Sequence, residues 1–498
     1  MEGMKKLLRL VLSLFSALIC FSGSVFVDAA DDFRSPLFVT ADLTLNESQT
    51  VNMPDGGSAI VRLLGVSEMK GEVWGEISRP EITIEVNGEE KTLVAGLYRL
   101  PQKVGGVQID CPITGKLKEN SHIDHWGLDA DARVRIWPAV AAWIAPGTFS
   151  YPVRQGWFAS QTSFSNEPVA PRPDGRLYYH AGLDIGGAEG LVDVIAATDA
   201  FVVSRGMKVM RGQETGTPIQ PRYDVVYLRD DRGWYYRYSH LDSIDPQIRV
   251  GEMIRREQKI GVLGKEGASG GWSHLHFEIK SRQPSGKWGT EDGYAFLWQA
   301  YLAEQKPEVI AVARPGHVVF EGRKVIHDAS RSWSRAGGIE KFEWILSDGS
   351  TATGPTVPRT YSSSGTYFET LKVTDSQGRS DYDFVRVKVY DLDNPERLPP
   401  RLHLACSPTT GLKPGQEITF KVRAFYHTHG EESWDFGDGT PIKKTKSDGN
   451  TKPLAKDGYA IVTHRYEKPG DYLVHVRRVN EHGEPAEDRL HIRIETQP

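Results

Sequence analysis

Four histidines and one aspartate near the middle of this chain fall into three groups whose spacing suits metal chemistry. His180-Ala181-Gly182-Leu183-Asp184 comes first and runs on into Ile185-Gly186-Gly187. Tyr238-Ser239-His240-Leu241 follows, and Ser273-His274-Leu275-His276-Phe277-Glu278 closes the set. On a strand, residues two apart face the same side, so His274 and His276 point together into one cleft. A catalytic zinc site commonly takes three nitrogen or oxygen ligands from the protein and leaves a fourth position to water. His180, Asp184 and one histidine of the pair complete that count. The remaining histidines are then free to act on the water and on a developing oxyanion. The chemistry indicated is hydrolysis by an activated water, with no covalent intermediate.

Taken singly, these patterns are cheap. With 15 His in 498 residues, less than one His-x-His is expected by chance. A second one, His427-Thr428-His429, is present, and His125 with Asp129 repeats the His-x-x-x-Asp spacing. Neither has further ligating residues around it, and both read as polar groups of loops. What distinguishes the central set is that its three pieces arrive together.

The grouping and its order resemble the lysostaphin-type (LytM-type) metallopeptidase family: His-x-x-x-Asp, a middle His-Leu, then His-Leu-His-Phe-Glu. The resemblance spans residues 150 to 285 and takes in Gly261-Val262-Leu263-Gly264, Gly267-Ala268-Ser269-Gly270-Gly271 and Val250-Gly251-Glu252. It implies zinc (Zn2+) held by His180, Asp184 and His276, with His240 and His274 as the catalytic pair. It further implies a zinc metalloendopeptidase whose substrate is the peptide cross-bridge of peptidoglycan, a protein substrate being the other option. Two departures stand out. Ser273 occupies a position where many relatives have Pro, and the stretch 207–222 before the middle histidine is longer. Competing readings are an inactive member of the same fold that binds a partner or activates another hydrolase, and a surface adhesion protein. Inactive relatives typically lose one or more ligands, whereas all five positions are filled here. Adhesion leaves the five aligned polar residues unexplained.

The elements that must position these residues read as mainly β. Hydrophobic residues make up 39% and charged residues 25% of the chain, which is ordinary for globular protein, and the net charge of −5 gives no reason to expect nucleic-acid binding. Fifty Gly and 29 Pro among alternating Val, Ile, Tyr and Trp predict many short strands joined by turns. Val225–Leu228 and Trp234–Tyr238 alternate across Asp230-Asp231-Arg232-Gly233, a hairpin signal. The expected fold is an antiparallel β-sheet metallopeptidase domain (149–304), preceded by a β-rich domain (31–148) and followed by two immunoglobulin-like β-sandwiches (306–391 and 396–496).

The two sandwiches are read from an internal repeat. Phe342-Glu343-Trp344, Asp348-Gly349, Tyr361, Gly365-Thr366-Tyr367, Val373 and Gly378 recur as Trp434-Asp435-Phe436, Asp438-Gly439, Tyr466, Gly470-Asp471-Tyr472, Val476 and Gly483. Both copies resemble PKD domains, the second more fully through Trp434-Asp435-Phe436-Gly437-Asp438-Gly439. The aspartate of such a turn is expected to serve backbone geometry rather than calcium. PKD-like domains are candidate binders of protein or polysaccharide. Because all five site residues precede residue 280, the sandwiches are expected to be dispensable for bond cleavage and to matter for targeting.

Residues 1–29 read as an export signal, with Lys5, Lys6 and Arg9 before the apolar run Leu7 to Phe21 and a cleavage site at Val27-Asp28-Ala29. The run is short for a bilayer span, and Ile19 before Cys20 does not suit lipidation. The mature protein is therefore expected to be secreted or held in the periplasm or cell envelope, with no membrane span. Cys111 and Cys406 remain after cleavage and are expected to be separate packed thiols. The leader 31–148 also offers Cys111, His122, Asp124 and His125 as groups with which to block the metal. The stronger reading is a scaffold or binding domain with Cys111 buried.

Overall fold

The computed structural model describes residues 35–496, so the export-signal segment lies outside the described residues. Strand accounts for about 47% and helix for about 4% of the chain, which makes it mainly β as expected. Among the described residues no helix is long and apolar enough to cross a membrane.

The leader folds as two four-stranded antiparallel sheets. One orders Val39–Leu43, Ala132–Pro138, Val107–Thr114 and Gln102–Val104; the other orders Ser48–Asn52, Ser58–Lys70, Ile77–Val86 and Glu89–Val94. Asn87 and Gly88 link the last two strands with φ of 51° and 86°, both in the left-handed region that a two-residue hairpin needs. Val61, Leu63, Ile82, Ile84, Ile109 and Ile136 meet in the core between the sheets, and Cys111 is buried with them.

The central region is built on an antiparallel sheet in the order Lys208–Val209, Ala200–Arg205, Val226–Arg229, Tyr235–Ser239, His274–Arg282, Leu183–Gly186, Thr162–Ser163. The predicted hairpin is present: Val226 pairs with Tyr238 and Arg229 with Tyr235. Its turn is tied by the Asp230 carboxylate, which accepts the amides of Arg232 and Trp234. A second sheet of Asp193–Ile195, Lys259–Leu263 and Leu241–Ile244 lies alongside.

Leader and central region share a core. Phe38 packs on Trp137 at 4.8 Å and on Phe296 at 6.0 Å, and Trp234 stacks on Phe296 at 5.9 Å. Arg135, 1% exposed, lies over Phe38, Trp137 and Phe296, pairs with Asp110 and donates to the Asp292 carbonyl. Burying these rings between the two regions joins them as one packed body.

The sandwiches place Trp344 and Trp434 at equivalent core positions, each 0% exposed. Asp348 and Asp438 both accept from the amide and hydroxyl two residues on, Ser350 and Thr440, so the carboxylate of each copy braces its turn. Strand Gly365–Asp375 of the first sandwich runs parallel to Pro485–Ile494 of the second, with Thr366 opposite Ala486. The two copies thus share one nine-stranded sheet.

Candidate metal centre

Strand His274–Arg282 shows how the site is presented. Leu275, Phe277 and Ile279 are at most 1% exposed and face the core, so His274, His276 and Glu278 occupy the other face. Strand Leu183–Gly186 pairs with it in a register that puts Asp184 opposite His276. Gly182 makes the tight turn between His180 and that strand: its φ is 100°, and a Cβ there would stand 2.8 Å from the Phe277 carbonyl oxygen.

Three ligating atoms converge. His180 Nε2 lies 3.0 Å and His276 Nδ1 2.9 Å from Asp184 Oδ1, and the two nitrogens are 3.1 Å apart. Three ligands of a tetrahedral zinc at 2.0–2.1 Å would stand about 3.3–3.4 Å from one another, so the set needs only a small opening to hold an ion. Among the described residues these three form the cluster of His, Cys, Asp and Glu able to hold a metal. The His180 Nδ1–H donates to the Gly182 carbonyl at 3.1 Å, which turns the Nε2 lone pair toward Asp184. Burial alone would raise the Asp184 carboxyl, but the surrounding histidines hold it well below the usual carboxylate range. Burial opposes charge on His276 as well, and the Asp184 and Glu278 carboxylates outweigh it and raise that ring.

His274 and His240 stand on the opposite side of the cluster, their rings 4.6 Å apart. His274 Nε2 is 3.4 Å from Asp184 Oδ1, and its Nδ1–H donates to the Trp272 carbonyl at 3.1 Å. The His240 Nδ1–H donates to the Glu266 carbonyl at 2.7 Å, and its backbone amide donates to Asp224 at 2.9 Å. Arg222, also close to that ring, donates to Asp224. His240 holds φ of 68°, a left-handed conformation that costs a non-glycine residue energy and recurs at functional sites. Both rings therefore present an unprotonated Nε2 to the cleft. Burial lowers His274 to about 4 and takes His240 well below its ordinary value.

All five residues named from the sequence come together here, and the competing patterns do not. His427 Nδ1 lies 3.3 Å from the His429 carbonyl oxygen, within the second sandwich. Asp129 pairs with Lys287 and Lys118 rather than with His125. His125 has a different neighbourhood: burial lowers it to about 4, and Glu278, Lys280, His180 and His276 all act on its charge. Of the leader's other suggested blocking groups, His122 pairs with Asp174 and Asp124 caps Trp126 and Gly127. The Cys111 thiol donates to Ile113 and is pushed far up by burial, so it is no metal ligand. Cys406 is likewise a free buried thiol.

The buried His-Asp-His set, with two further histidines beside it, offers a possible metal site. Residues 178–287 match peptidase family M23, and residues 305–389 and 401–492 each match the PKD domain. The match to peptidase family M23 in the central region, followed by two PKD matches, agrees with the lysostaphin-type resemblance. Among solved structures, Helicobacter pylori Csd3 is 12% identical, over 52% of this chain and 82% of that one, at a TM-score of 0.22. The D0-D1 domain of intimin is 15% identical over 37% of this chain and 96% of its own, at 0.21. The fibronectin(III)-like modules of Clostridium thermocellum CbhA are 16% identical over 38% and 94%, at 0.16. Likeness at that level decides nothing about fold or activity.

Proposed function

We propose that this chain is an exported zinc metalloendopeptidase that hydrolyses peptide bonds in peptidoglycan cross-bridges. The observation that carries the reading is the convergence of His180, Asp184 and His276 within 2.9–3.1 Å of one another, beside two histidines with free Nε2 atoms. His180, Asp184 and His276 would hold the ion. A zinc ion there supplies a water whose pKa falls from 15.7 toward roughly 7 and a Lewis acid for the scissile carbonyl.

The protein's own groups do the rest. His274 and His240 are kept neutral by burial, and each has its Nδ1–H committed to a backbone carbonyl. Either Nε2 can therefore accept a proton from the attacking water. The imidazolium so formed donates to the oxyanion and then returns the proton to the leaving amine, so the protein ends as it began. Glu278 stands behind His276 with Oε2 4.0 Å from Nε2, where its charge favours a proton on that nitrogen and leaves Nδ1 to face Asp184. An exported enzyme could reach the wall, and the PKD domains suit a protein or polysaccharide target.

The test is digestion of purified peptidoglycan by the zinc-loaded chain, with the newly released amino and carboxyl ends identified by mass spectrometry. Cross-bridge peptides with new ends support the reading. An intact wall after incubation with metal-replete protein rejects it.

A further inference from the structure

The second PKD domain reaches the catalytic strand directly. Arg423 donates to the Gly271 carbonyl at 2.7 Å, Asn450 to that of Gly270 at 3.0 Å, and Lys421 to that of Glu189 at 2.7 Å. Closest to the site, the Tyr459 hydroxyl accepts the Ser273 amide at 2.8 Å, one residue before His274. A domain expected to be dispensable for cleavage is therefore bonded to the segment that carries a catalytic histidine.

The hydrogen bonds around Tyr459 run in one direction. With Ser273 N–H donated to it, Tyr459 gives its own proton to His403 Nδ1 at 2.8 Å. His403 then carries its proton on Nε2 and donates to Ser160 Oγ at 3.1 Å, and Ser160 donates to the Leu404 carbonyl at 2.7 Å. Every donor has one acceptor, and His403, 0% exposed, is left neutral. The Ser273 hydroxyl is separately fixed on the Gly187 carbonyl at 2.6 Å.

Trp272 carries the same domain's grip to the imidazole itself. Its indole stacks on His274 at 3.9 Å and 15°, takes the edge of His403 at 5.3 Å, and lies under the Arg401 guanidinium at 5.5 Å. Its carbonyl accepts the His274 Nδ1–H. The Trp272-Ser273 segment thus sets both the ring plane and the tautomer of His274. Two of the groups holding that segment, His403 and Tyr459, belong to a domain more than a hundred residues further along the chain. A proline at position 273 would have no N–H to donate, so Ser273 is what makes the link to Tyr459 available.

We infer that Tyr459 and His403 of the second PKD domain are positioning residues for the peptidase, holding His274 in its working orientation through Ser273 and Trp272. The inference rests on the assignment of His274 to the catalytic pair.

Tyr459→Phe keeps the ring that Arg423 covers at 5.7 Å and removes only the hydroxyl. In the full zinc-loaded chain, kcat for release of soluble fragments from purified peptidoglycan should fall about 10-fold or more, with zinc content and KM little changed. Hydrogen exchange at the Ser273 amide should speed up about 10-fold, and the loosening should extend to His274. His403→Asn, which keeps an acceptor near Nδ1, should retain most of the turnover, and His403→Leu should not. Faster Ser273 exchange with an unchanged kcat overturns the inference, and so does loss of zinc together with turnover, which would mark a general structural prop. If the wild-type chain leaves peptidoglycan intact, the substrate reading fails and exchange decides alone. Loosening confined to Ser273 then overturns the positioning role, and loosening that reaches His274 supports it.

Discussion

Glu278 stands two residues beyond His276 on the same face of one strand, with Oε2 4.0 Å from His276 Nε2 while His276 Nδ1 points at Asp184. A carboxylate behind a metal-ligating imidazole fixes its tautomer and raises its basicity, and removing such a partner typically costs 10–100-fold in metal affinity. Glu278→Gln should accordingly weaken zinc binding about 10-fold or more, read by competition with a chromophoric chelator. An unchanged affinity would separate Glu278 from the metal.

The two pairs of histidines should respond differently to removal. His180→Ala and His276→Ala should lose most of the bound zinc, about one ion per chain in the parent. His240→Ala and His274→Ala should keep the ion and abolish turnover. Metal analysis beside a hydrolysis assay reads both, and zinc lost from His274→Ala but kept by His276→Ala would exchange the roles within the pair.

A chain starting near Gly147 would test whether the leader restrains the enzyme, and the shared core sets the expected result. That cut removes Phe38 and Trp137, each a large ring whose loss from a core costs about 3–5 kcal/mol. The shortened protein should lack a cooperative thermal transition and should be inactive. A folded, faster enzyme would instead show that the leader gates the cleft, with His125, whose charge interacts with those of His180 and His276, the group to examine.

Acid should loosen the first PKD domain. His327 is 0% exposed, stacks at 5.5 Å on Trp344 and lies 5.2 Å from His317. Burial lowers it to about 3, and His317 and Arg359 push the same way. Its folded pKa lies below the unfolded value of about 6.5, so the unfolded chain takes up a proton that the folded one refuses. The stability it contributes is complete above pH 6.5 and is lost as pH falls toward 3, reaching about 2 kcal/mol by pH 5. Hydrogen exchange in strand Lys324–Asp328, corrected for intrinsic rate, should show this drop between pH 7.5 and 5. His327→Gln should show a smaller one, and equal drops in the two proteins would discount the histidine.

What the sequence disclosed about this site was what local periodicity encodes. His274, His276 and Glu278 alternate with Leu275, Phe277 and Ile279, and that alternation alone places one set in the cleft and the other in the core. The hairpin around Asp230 was legible for the same reason, and the two sandwiches through the repeated turns at Asp348-Gly349 and Asp438-Gly439. The partners that set tautomers were not, because the Gly182, Trp272 and Glu266 carbonyls belong to the backbone and carry no residue type. Nor does any local pattern join Ser273 to Tyr459, 186 residues apart. Ser273 itself was visible as a departure from its relatives, yet its importance lies in an amide proton whose acceptor only the folded chain brings near. His125 shows the same limit, since its His-x-x-x-Asp spacing is incidental and its proximity to His180 and His276 comes from the way the leader packs.

The parallel seam between Gly365–Asp375 and Pro485–Ile494 has a mechanical consequence. Modules strung on a linker pivot freely, and a tethered enzyme then sweeps out whatever lies within its radius. Here the seam is reinforced by Arg489 donating to the Phe368 carbonyl, by Ser364 on Glu484 and by Arg493 on the Ser380 carbonyl, so neither sandwich can swing alone. Any surface the pair bound would be held at one distance and one heading from the cleft. A tail so fixed would work as a gauge, offering the cleft bonds at a set offset from its anchorage and leaving nearer and farther ones out of register.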